Sequence, residues 1–432
     1  MKKTLSIFLT ILMLLTPSVS FATQTTNTEE PKEIRNQNIY VPTKNGVQRA
    51  TYEEAVKIEE LNQEPLIELC DSYILGDYKS GKILESYNID EIKSMASMSK
   101  LVSIFVVMDK IKDGTISKDD IVTIDHESAM LSGSTYKLKE NEQVDVWTLV
   151  KASLIVSGND AITALAKHIS GSKEAFVVLM NDKCKELGLE NAHMVNPTGL
   201  TDYSIEDYNK MTTREMFFLT RELIKEYPEL LEITSMPKLE DDTRNFLEYN
   251  TNPLLGIVEG IDGLKTGYTN ASGRCLVATG LRKGVEGKSL DTRLIGITTG
   301  SKNDWSRYVA AKRLLGEGFE TYKYKVVGNV EKPVKTIEVE EASKDKVEVY
   351  EENTGSVLWD GKSEIKKQIS IEPGLKAPIA AGEVVGTITY KMNDEQILKS
   401  DLIVKERVSE RGFLFKIKNA YEDIFSNIGK VA

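Results

Sequence analysis

Three short motifs follow one another in a set order along this 432-residue chain, and they constrain its fold more than any other feature. They are S-M-S-K at residues 97–100, S-G-N at 157–159 and K-T-G at 265–267. A serine with a lysine one helical turn away, a second hydroxyl, an amide and a further cation form the minimal set for acyl transfer on a serine without a histidine. The fold must therefore bring three distant segments to one pocket.

Each of these motifs is common by itself, so the surrounding sequence decides which copy matters. Other Ser-x-x-Lys, Ser-x-Asn and Lys-Ser-Gly matches lie in polar or turn-like stretches. Residues 97–100 instead lead into the apolar run 101–108, which is typical of a buried central helix. The Lys-Ser-Gly copy at 79–81 is interpreted as the turn of a β-hairpin between strands at 73–75 and 83–84. The first motif therefore supplies the predicted nucleophile.

The hydrophobic patterns predict an α+β fold. Helical patterns dominate after residue 97, and strand-like runs at 275–278 and 294–297 precede a helix at 303–315. Strands from both ends of the region, with helices between them, predict a largely antiparallel sheet with a helical cluster. The K-T-G motif is expected just before the first of these two runs. The predicted central helices are 146–156, 161–169, 174–187 and 213–225.

Changes in composition divide the chain into five predicted segments. A basic start, an apolar core and a small-x-small site predict a cleaved secretory signal. A membrane-spanning anchor is the alternative, but a span needs ~20 apolar residues and this core is shorter. Short alternating runs after residue 324 predict a separate β-rich domain. An apolar stripe with lysines in the tail predicts a helix on a membrane surface, and docking on the protein itself is the alternative. The segments are a signal peptide 1–22, a leader or linker 23–62 ending in a helix at 52–61, a catalytic domain 63–323, a β-rich domain 324–406 and an amphipathic helix 409–432.

Charge, histidines and cysteines remove several classes of function. The net charge of −11 argues against a nucleic-acid partner, since phosphate binding needs a clustered basic surface. The histidines lack metal-ligand spacing, so neither a metal site nor a Ser-His-Asp triad is expected. Cys70, Cys184 and Cys275 cannot all pair within one chain and match no redox motif. They are interpreted as buried thiols.

The first two motifs predict how the nucleophile is activated. Ser97 and Lys100 can meet because residues three apart share a helix face. A lysine with an ordinary pKa of about 10.4 is protonated and cannot act as a base. Burial and the like charge of Lys265 would lower the pKa of Lys100, which is therefore the predicted base. Ser157 is predicted to pass a proton to the leaving amine, and Asn159 to orient Lys100 and the substrate amide.

The third motif predicts substrate binding. Lys265 and Thr266 are expected to hold a substrate carboxylate, while the strand edge beside them pairs with an extended peptide. The backbone N–H groups of Ser97 and Tyr268 are the predicted oxyanion hole.

With these motifs the chain resembles the low-molecular-weight penicillin-binding proteins, which are serine D-alanyl-D-alanine carboxypeptidases of peptidase family S11 with a β-lactamase-like transpeptidase domain. The resemblance covers about residues 68–320, and Arg307 stands where the family has an arginine that helps bind the terminal carboxylate. Two departures are M-A-S in place of P-A-S at 95–97 and Ser-Gly in place of Thr-Gly at 80–81. The supporting stretches are S-G-N-D-A at 157–161, N-P-T-G-L at 196–200, Y-N-T-N at 249–252 and D-G-L-K-T-G at 262–267.

The resemblance implies an exported bacterial enzyme, peripheral on the outer face of the cell membrane. Its implied substrates are peptidoglycan stem pentapeptides, from which it removes the terminal D-alanine through an acyl-enzyme on Ser97 without a cofactor. β-Lactam antibiotics are implied to acylate the same serine and to form a lasting adduct. The alternatives are a class A-like β-lactamase and a catalytically inert muropeptide-binding scaffold. The lactamase is disfavoured because no Arg-x-Glu-x-x-x-Asn-like stretch lies between Asn159 and Lys265 to supply a glutamate-activated water.

Overall fold

The computed structural model describes residues 39–201, 207–344 and 346–413, together with 417, 418, 420, 421 and 424. The predicted signal peptide and most of the predicted tail helix lie outside these residues. Ile417, Tyr421 and Ile424, from the predicted apolar stripe of the tail, are exposed. A search of the described helices finds none with both the length and the apolar character needed to cross a bilayer.

The secondary structure follows the predicted alternation of strands and helices. The helices are α1 Tyr52–Gln63, α2 Leu66–Leu69, α3 Lys100–Lys112, α4 His126–Ala129, α5 Val146–Ile155, α6 Asn159–Ser170, α7 Lys173–Glu186, α8 Thr213–Glu226, α9 Leu230–Thr234 and α10 Asp304–Thr321, with 3₁₀ turns at Ala96–Ser99 and Asp242–Arg244. The first strands are β1 Tyr40–Thr43, β2 Gly46–Arg49, β3 Ser72–Asp77, β4 Ile83–Tyr87, β5 Ile92–Ser94, β6 Ile121–Thr123, β7 Gln143–Asp145, β8 Lys210–Thr212, β9 Lys238–Asp241 and β10 Phe246–Tyr249. The later strands are β11 Ile261–Thr269, β12 Gly273–Arg282, β13 Ser289–Leu290, β14 Thr292–Ser301, β15 Lys323–Val327, β16 Pro333–Ile337, β17 Val347–Glu351, β18 Gly355–Trp359, β19 Ile365–Ile371, β20 Val384–Met392 and β21 Glu395–Ile403.

A five-stranded antiparallel sheet lies in the region predicted to be catalytic, in the strand order β11-β12-β14-β3-β4. Strands from the start and the end of the region share this sheet, which agrees with the α+β prediction. The K-T-G motif lies inside the edge strand β11, whereas the sequence predicts it before a strand. Glycines and a lysine interrupt the alternation of apolar residues in β11, so its strand propensity is low. Pairing with β12 stabilises the strand nevertheless.

The helical cluster surrounds α3. The residues from Lys100 to Met108 are all buried, so this helix has the apolar surface that residues 101–108 predict. Helices α5, α6, α7 and α8 pack against it and lie within two residues of their predicted bounds. Helix α10 continues to Thr321, past its predicted end, through two glycines. A Cβ on Gly318 would lie 2.7 Å from Leu75 Cδ2, so this glycine permits close packing of α10 on the sheet.

The residues before α1 form a β1–β2 hairpin that the leader prediction does not contain. Val41 is 1% exposed in the core beneath α10, and Tyr308 donates a hydrogen bond to the Tyr40 carbonyl at 2.9 Å. The Asn-Gly turn at 45–46 is a hairpin signal, but so few of the flanking residues are apolar that the pattern is weak. The predicted short helix is present as α1, with Thr51 as its N-cap.

The C-terminal strands form two sheets. The first sheet, with the strand order β16-β17-β21-β20-β19, packs around a hydrophobic core of its own, in keeping with the β-rich pattern. The second sheet, β13-β15-β18, joins the two regions because β15 pairs with β13 on one side and with β18 on the other. The hydroxyl of Tyr324 also donates to buried Asp77 in β3 at 2.6 Å. Strand pairing and a buried hydrogen bond therefore connect the regions.

Candidate active site

The predicted nucleophile lies in the 3₁₀ turn Ala96–Ser99, immediately before α3. Ala96 has a φ of +45°, in the left-handed region, and the Ser99 hydroxyl donates to its carbonyl at 2.6 Å. Ser97 is partly buried, whereas Lys100, the first residue of α3, has no exposed surface. The turn thus presents the hydroxyl at the end of a buried helix.

The Lys100 amine is enclosed by three oxygen atoms. Its Nζ lies 3.0 Å from Ser97 Oγ, 2.7 Å from Asn159 Oδ1 and 2.8 Å from the Thr198 carbonyl oxygen. Burial lowers the pKa of Lys100 well below its ordinary value; the positive charge of Lys265 lowers it further and Asp160 opposes the shift. A neutral amine next to a hydroxyl is the arrangement that general-base activation requires.

Asn159 is held from both sides at the start of α6. Its side-chain amide donates to the Ser132 carbonyl at 2.8 Å, and its backbone N–H donates to the Ser134 carbonyl at 2.8 Å. The neighbouring Asp160 accepts hydrogen bonds from the backbone of Tyr136 and Leu138. The loop 132–138 and α6 therefore fix the amide that contacts Lys100.

Ser157 lies in the break between α5 and α6, as the sequence predicts. It has a φ of +63° and is 4% exposed. Within the part of the chain that the structure describes, its hydroxyl makes no hydrogen bond, either with Ser97 or with Lys100. The structure thus brings Ser157 to the same break as Asn159, and its role in proton transfer stays a prediction.

Strand β11 contributes a second buried amine. Lys265 is 1% exposed, and burial together with the charge of Arg307 lowers its pKa to about 7. Its Nζ donates to the Thr266 carbonyl at 3.0 Å. The Thr266 hydroxyl donates to Thr251 Oγ1 at 2.7 Å, which fixes the direction of that side chain.

Gly267 lets β11 approach the nucleophile turn. A Cβ at this position would lie 3.0 Å from the Met95 carbonyl oxygen and 3.2 Å from Ala96 Cβ. Even a methyl group would therefore require the turn that carries Ser97 to shift by a few tenths of an ångström. Since Tyr268 follows directly, the two backbone segments predicted to form the oxyanion hole face each other.

Positive charge gathers near Lys265. The Arg307 side chain is 12% exposed and donates to Asp304 at 2.7 Å, while its Nε is buried without a partner among the described residues. Arg274, which the sequence does not single out, approaches the same carboxylate at 3.4 Å and stacks 3.6 Å from the centre of the Tyr268 ring. Two guanidinium groups therefore share one aspartate, so their positive charge is only partly neutralised. The remaining positive charge suits the binding of an anion.

The stretch 196–200 supplies a contact that residue types could not reveal. The Thr198 carbonyl oxygen binds Lys100, and Asn196 Oδ1 shapes the turn by accepting from the N–H groups of Thr198 and Gly199 at 3.0 and 2.7 Å. Gly199 has a φ of +80°, and a Cβ there would lie 1.9 Å from the Ala96 carbonyl oxygen. The Asn-x-x-Gly pattern was the available signal for this turn, but not for its contact with Lys100.

The cysteines take no part in this site. Cys70, Cys184 and Cys275 are buried free thiols, as interpreted from the sequence, and burial raises the pKa of each. Across the described ranges, no group of three His, Cys, Asp or Glu side chains is arranged to hold a metal ion.

Comparison with known proteins places this geometry in context. Residues 60–291 match the sequence model of D-alanyl-D-alanine carboxypeptidase, and residues 319–410 match that of the penicillin-binding protein 5 C-terminal domain. The chain is 30% identical over 358 residues to D-alanyl-D-alanine carboxypeptidase DacF of Bacillus subtilis, covering 82% of this chain and 89% of the relative. It is 33% identical over 361 residues to DacC of Escherichia coli, covering 80% and 86%. The solved structure of penicillin binding protein 5 from Haemophilus influenzae aligns with a TM-score of 0.59 at 30% identity, over 80% of this chain and 99% of that one.

Proposed function

Because the chain belongs to the D-alanyl-D-alanine carboxypeptidase family, we propose that it is a serine-type D-Ala-D-Ala carboxypeptidase that trims peptidoglycan stem pentapeptides. The observation that carries this proposal is the 3.0 Å contact between Ser97 Oγ and the buried Lys100 amine. The amine lies where two other motif segments, through Asn159 and Lys265, meet the nucleophile turn. An inert scaffold would not need a lysine with a lowered pKa at this position.

In the proposed acylation, neutral Lys100 takes the hydroxyl proton as Ser97 Oγ attacks the carbonyl carbon of the penultimate D-alanine. The N–H groups of Ser97 and Tyr268 stabilise the oxyanion. Lys100 then passes this proton through Ser157 to the D-alanine nitrogen as the C–N bond breaks, so that Lys100 is neutral again and Ser97 is esterified. In deacylation, Lys100 takes a proton from water as the water oxygen attacks the ester carbonyl carbon, and it returns that proton to Ser97 Oγ as the ester C–O bond breaks.

Recognition of the substrate is assigned to the cationic groups beside β11. Lys265 and Arg307 would bind the terminal carboxylate of the peptide, and the Thr266 hydroxyl would turn its proton from Thr251 to the carboxylate as a third donor. The free edge of β11 would pair with the extended peptide, because β11 is a terminal strand of its sheet. Asn159 would hold the substrate amide while it also contacts Lys100.

The same serine is proposed to react with β-lactams and to keep the adduct. Among the described residues, the side-chain and carbonyl oxygens around Lys100 Nζ come from Ser97, Asn159 and Thr198, and none belongs to a carboxylate. A class A-like β-lactamase uses a glutamate-activated water for fast hydrolysis of the acyl-enzyme. The absence of such a group from these contacts favours the carboxypeptidase over the lactamase.

The proposed location is outside the cytoplasm, peripheral on the outer face of the cell membrane. The N-terminal sequence pattern supports export, and the apolar stripe with lysines at 409–432 supports contact with lipid head groups. The proposed domain bounds are those given by the sequence, 63–323 for the catalytic domain and 324–406 for the β-rich domain.

Penicillin and mass spectrometry test the proposal. We expect a stable covalent adduct on the purified protein that is absent from Ser97→Ala, together with D-alanine release from diacetyl-Lys-D-Ala-D-Ala. Ser235→Ala is a matched control, since Ser235 begins another Ser-x-x-Lys match but is exposed, and its hydroxyl donates to the Glu232 carbonyl. Rapid turnover of the antibiotic would indicate a lactamase, and no adduct would indicate a scaffold.

A further inference from the structure

Asn209, just before β8, is a buried amide whose side chain bonds two parts of the site. It is 1% exposed. Its Oδ1 accepts hydrogen bonds from the N–H groups of Val195 and Asn196 at 2.7 and 3.1 Å, and its Nδ2 donates to the Asn196 carbonyl at 2.8 Å. One side chain therefore anchors the start of the turn that ends in Thr198 and Gly199.

The same residue also contacts the nucleophile turn. Its Nδ2 donates to Ser99 Oγ at 2.9 Å, and its backbone carbonyl accepts from the Met95 N–H at 3.1 Å. Ser99 in turn donates to the Ala96 carbonyl, the group that Gly199 approaches from the other side. These bonds join the 3₁₀ turn and the loop 195–199 at a distance from Ser97 itself.

We propose that Asn209 is a positioning residue: it fixes the loop 195–199 against the nucleophile turn and so holds the Thr198 carbonyl oxygen on Lys100. Asn209 bonds to both segments, through Val195 and Asn196 in the loop and through Ser99 in the nucleophile turn, and so sets the distance between them. Neither the motifs nor the roles assigned above include this residue. The inference rests on the proposed acylation of Ser97.

The consequence concerns the protonation of Lys100. Charged groups that face its amine are Lys265 from β11 and Asp160 from α6, and burial by the surrounding segments is the largest influence on its pKa. A loosened loop would admit water next to the amine, and the pKa of Lys100 would rise towards its ordinary value. Because only the neutral amine accepts the serine proton, the acidic limb of the acylation rate would then move to higher pH.

The test measures penicillin acylation of the full chain against pH for the wild type, Asn209→Leu and Ser99→Ala. Asn209→Leu keeps the approximate size without adding a charge and removes the side-chain hydrogen bonds, and Ser99→Ala removes one Asn209 contact together with the bond to the Ala96 carbonyl, with less risk to folding. We expect acylation near neutral pH to fall by about ten- to a hundredfold in Asn209→Leu, since small misplacements at a reacting centre have such effects. We also expect the midpoint of the acidic limb to rise in both variants, and Ser99→Ala to respond less.

Asn181→Ala is the matched control. This amide clamps the same chain stretch further from the site, through hydrogen bonds with Val177 and Met194. It should lower the thermal unfolding temperature while leaving the midpoint of the acidic limb unchanged. An unchanged midpoint in both Asn209→Leu and Ser99→Ala would overturn the positioning role. A wild type that never acylates would instead refute the proposed function on which the inference rests.

Discussion

At the residue scale, the proposed reaction sets opposite requirements for two buried lysines. Lys100 must be neutral to accept a proton, and burial beside Lys265 lowers its pKa well below the ordinary value. Lys265 must be cationic to bind a carboxylate, although burial and Arg307 lower its pKa to about 7. The site therefore works best where one lysine has lost its proton and the other retains it.

This balance predicts a basic limb in the pH dependence of kcat/KM for D-alanine release. A lysine is cationic below its pKa, so the free enzyme loses carboxylate affinity as the pH rises through about 7. Lys265→Arg keeps the charge over that range and should remove the limb, even if its overall rate is lower. Rates of D-alanine release between mildly acidic and mildly alkaline pH measure both. A wild-type profile that stays flat on the alkaline side would contradict the assignment.

Gly199→Ala is predicted to damage both stability and acylation. The new Cβ would meet the Ala96 carbonyl oxygen at 1.9 Å, and the residue would keep a φ of +80°. We expect a loss of about 3 kcal/mol or more in the free energy of unfolding, measured by denaturant titration. Gly188→Ala is the control, since its φ is also positive but its Cβ would meet open space. Equal effects of the two substitutions would show that contact with Ala96 is unimportant.

The side chains of the site could be named from the sequence because their chemistry is carried by residue type. Ser97, Lys100 and Asn159 follow from a nucleophile, a base and an amide at recognisable spacings. The Thr198 carbonyl could not be found in this way, since every residue has such a group and only the fold selects one. Asn209 could not be identified from the sequence for a related reason. Its four side-chain hydrogen bonds join segments that are distant in the sequence and that only the fold brings together.

At the element scale, the N-terminal hairpin and β11 show where sequence patterns fall short. The strands β1 and β2 pair with each other and β11 pairs with β12, all antiparallel and with one register shift between Ile261 and Gly263, but their sequences contain too few alternating apolar residues to indicate it. The central helices α5 to α8 were predictable because a buried face repeats along each of them. Strand signals fail where pairing partners, rather than the strand's own residues, supply the stabilisation.

The hairpin is predicted to be an integral part of the catalytic region. Val41→Asp would place an unpaired carboxylate in a core position that is 1% exposed, which should cost about 3 kcal/mol of unfolding free energy. Val47→Asp, in the same hairpin but 41% exposed, should change stability by about 0.5 kcal/mol or less. Thermal unfolding of both variants measures the difference. Equal stability would mean that the hairpin is dispensable.

At the scale of the whole molecule, the β13-β15-β18 sheet connects two regions that have separate cores. The short runs of alternating apolar and polar residues after residue 324 indicated a β-rich unit, because this alternation can be recognised within each strand alone. The strand pairing that joins the regions was not predictable, since β13 contains only two residues. The connection between the two regions depends on pairing of strands that are distant in the sequence, and local composition does not predict such pairing.

This connection predicts a single calorimetric unfolding transition for the full chain, rather than one for each region. Tyr324→Phe removes the hydrogen bond to buried Asp77 and should lower stability by about 1.5–3 kcal/mol, the range for bonds to charged groups. Tyr350→Phe is the control, because its hydroxyl donates to exposed Glu348. Differential scanning calorimetry compares the three proteins. Two well-separated wild-type transitions would argue against coupling through β15.

The cationic groups beside β11 also limit which peptides the cleft accepts. Lys265 and Arg307 suit a negatively charged chain end, and a peptide already joined to its neighbour at that end presents an uncharged amide instead. Such crosslinked peptides would leave the two cations unneutralised and would bind weakly. We therefore expect the protein to act on strands of the wall that are still unjoined, and its action would reduce the number of ends available for later joining.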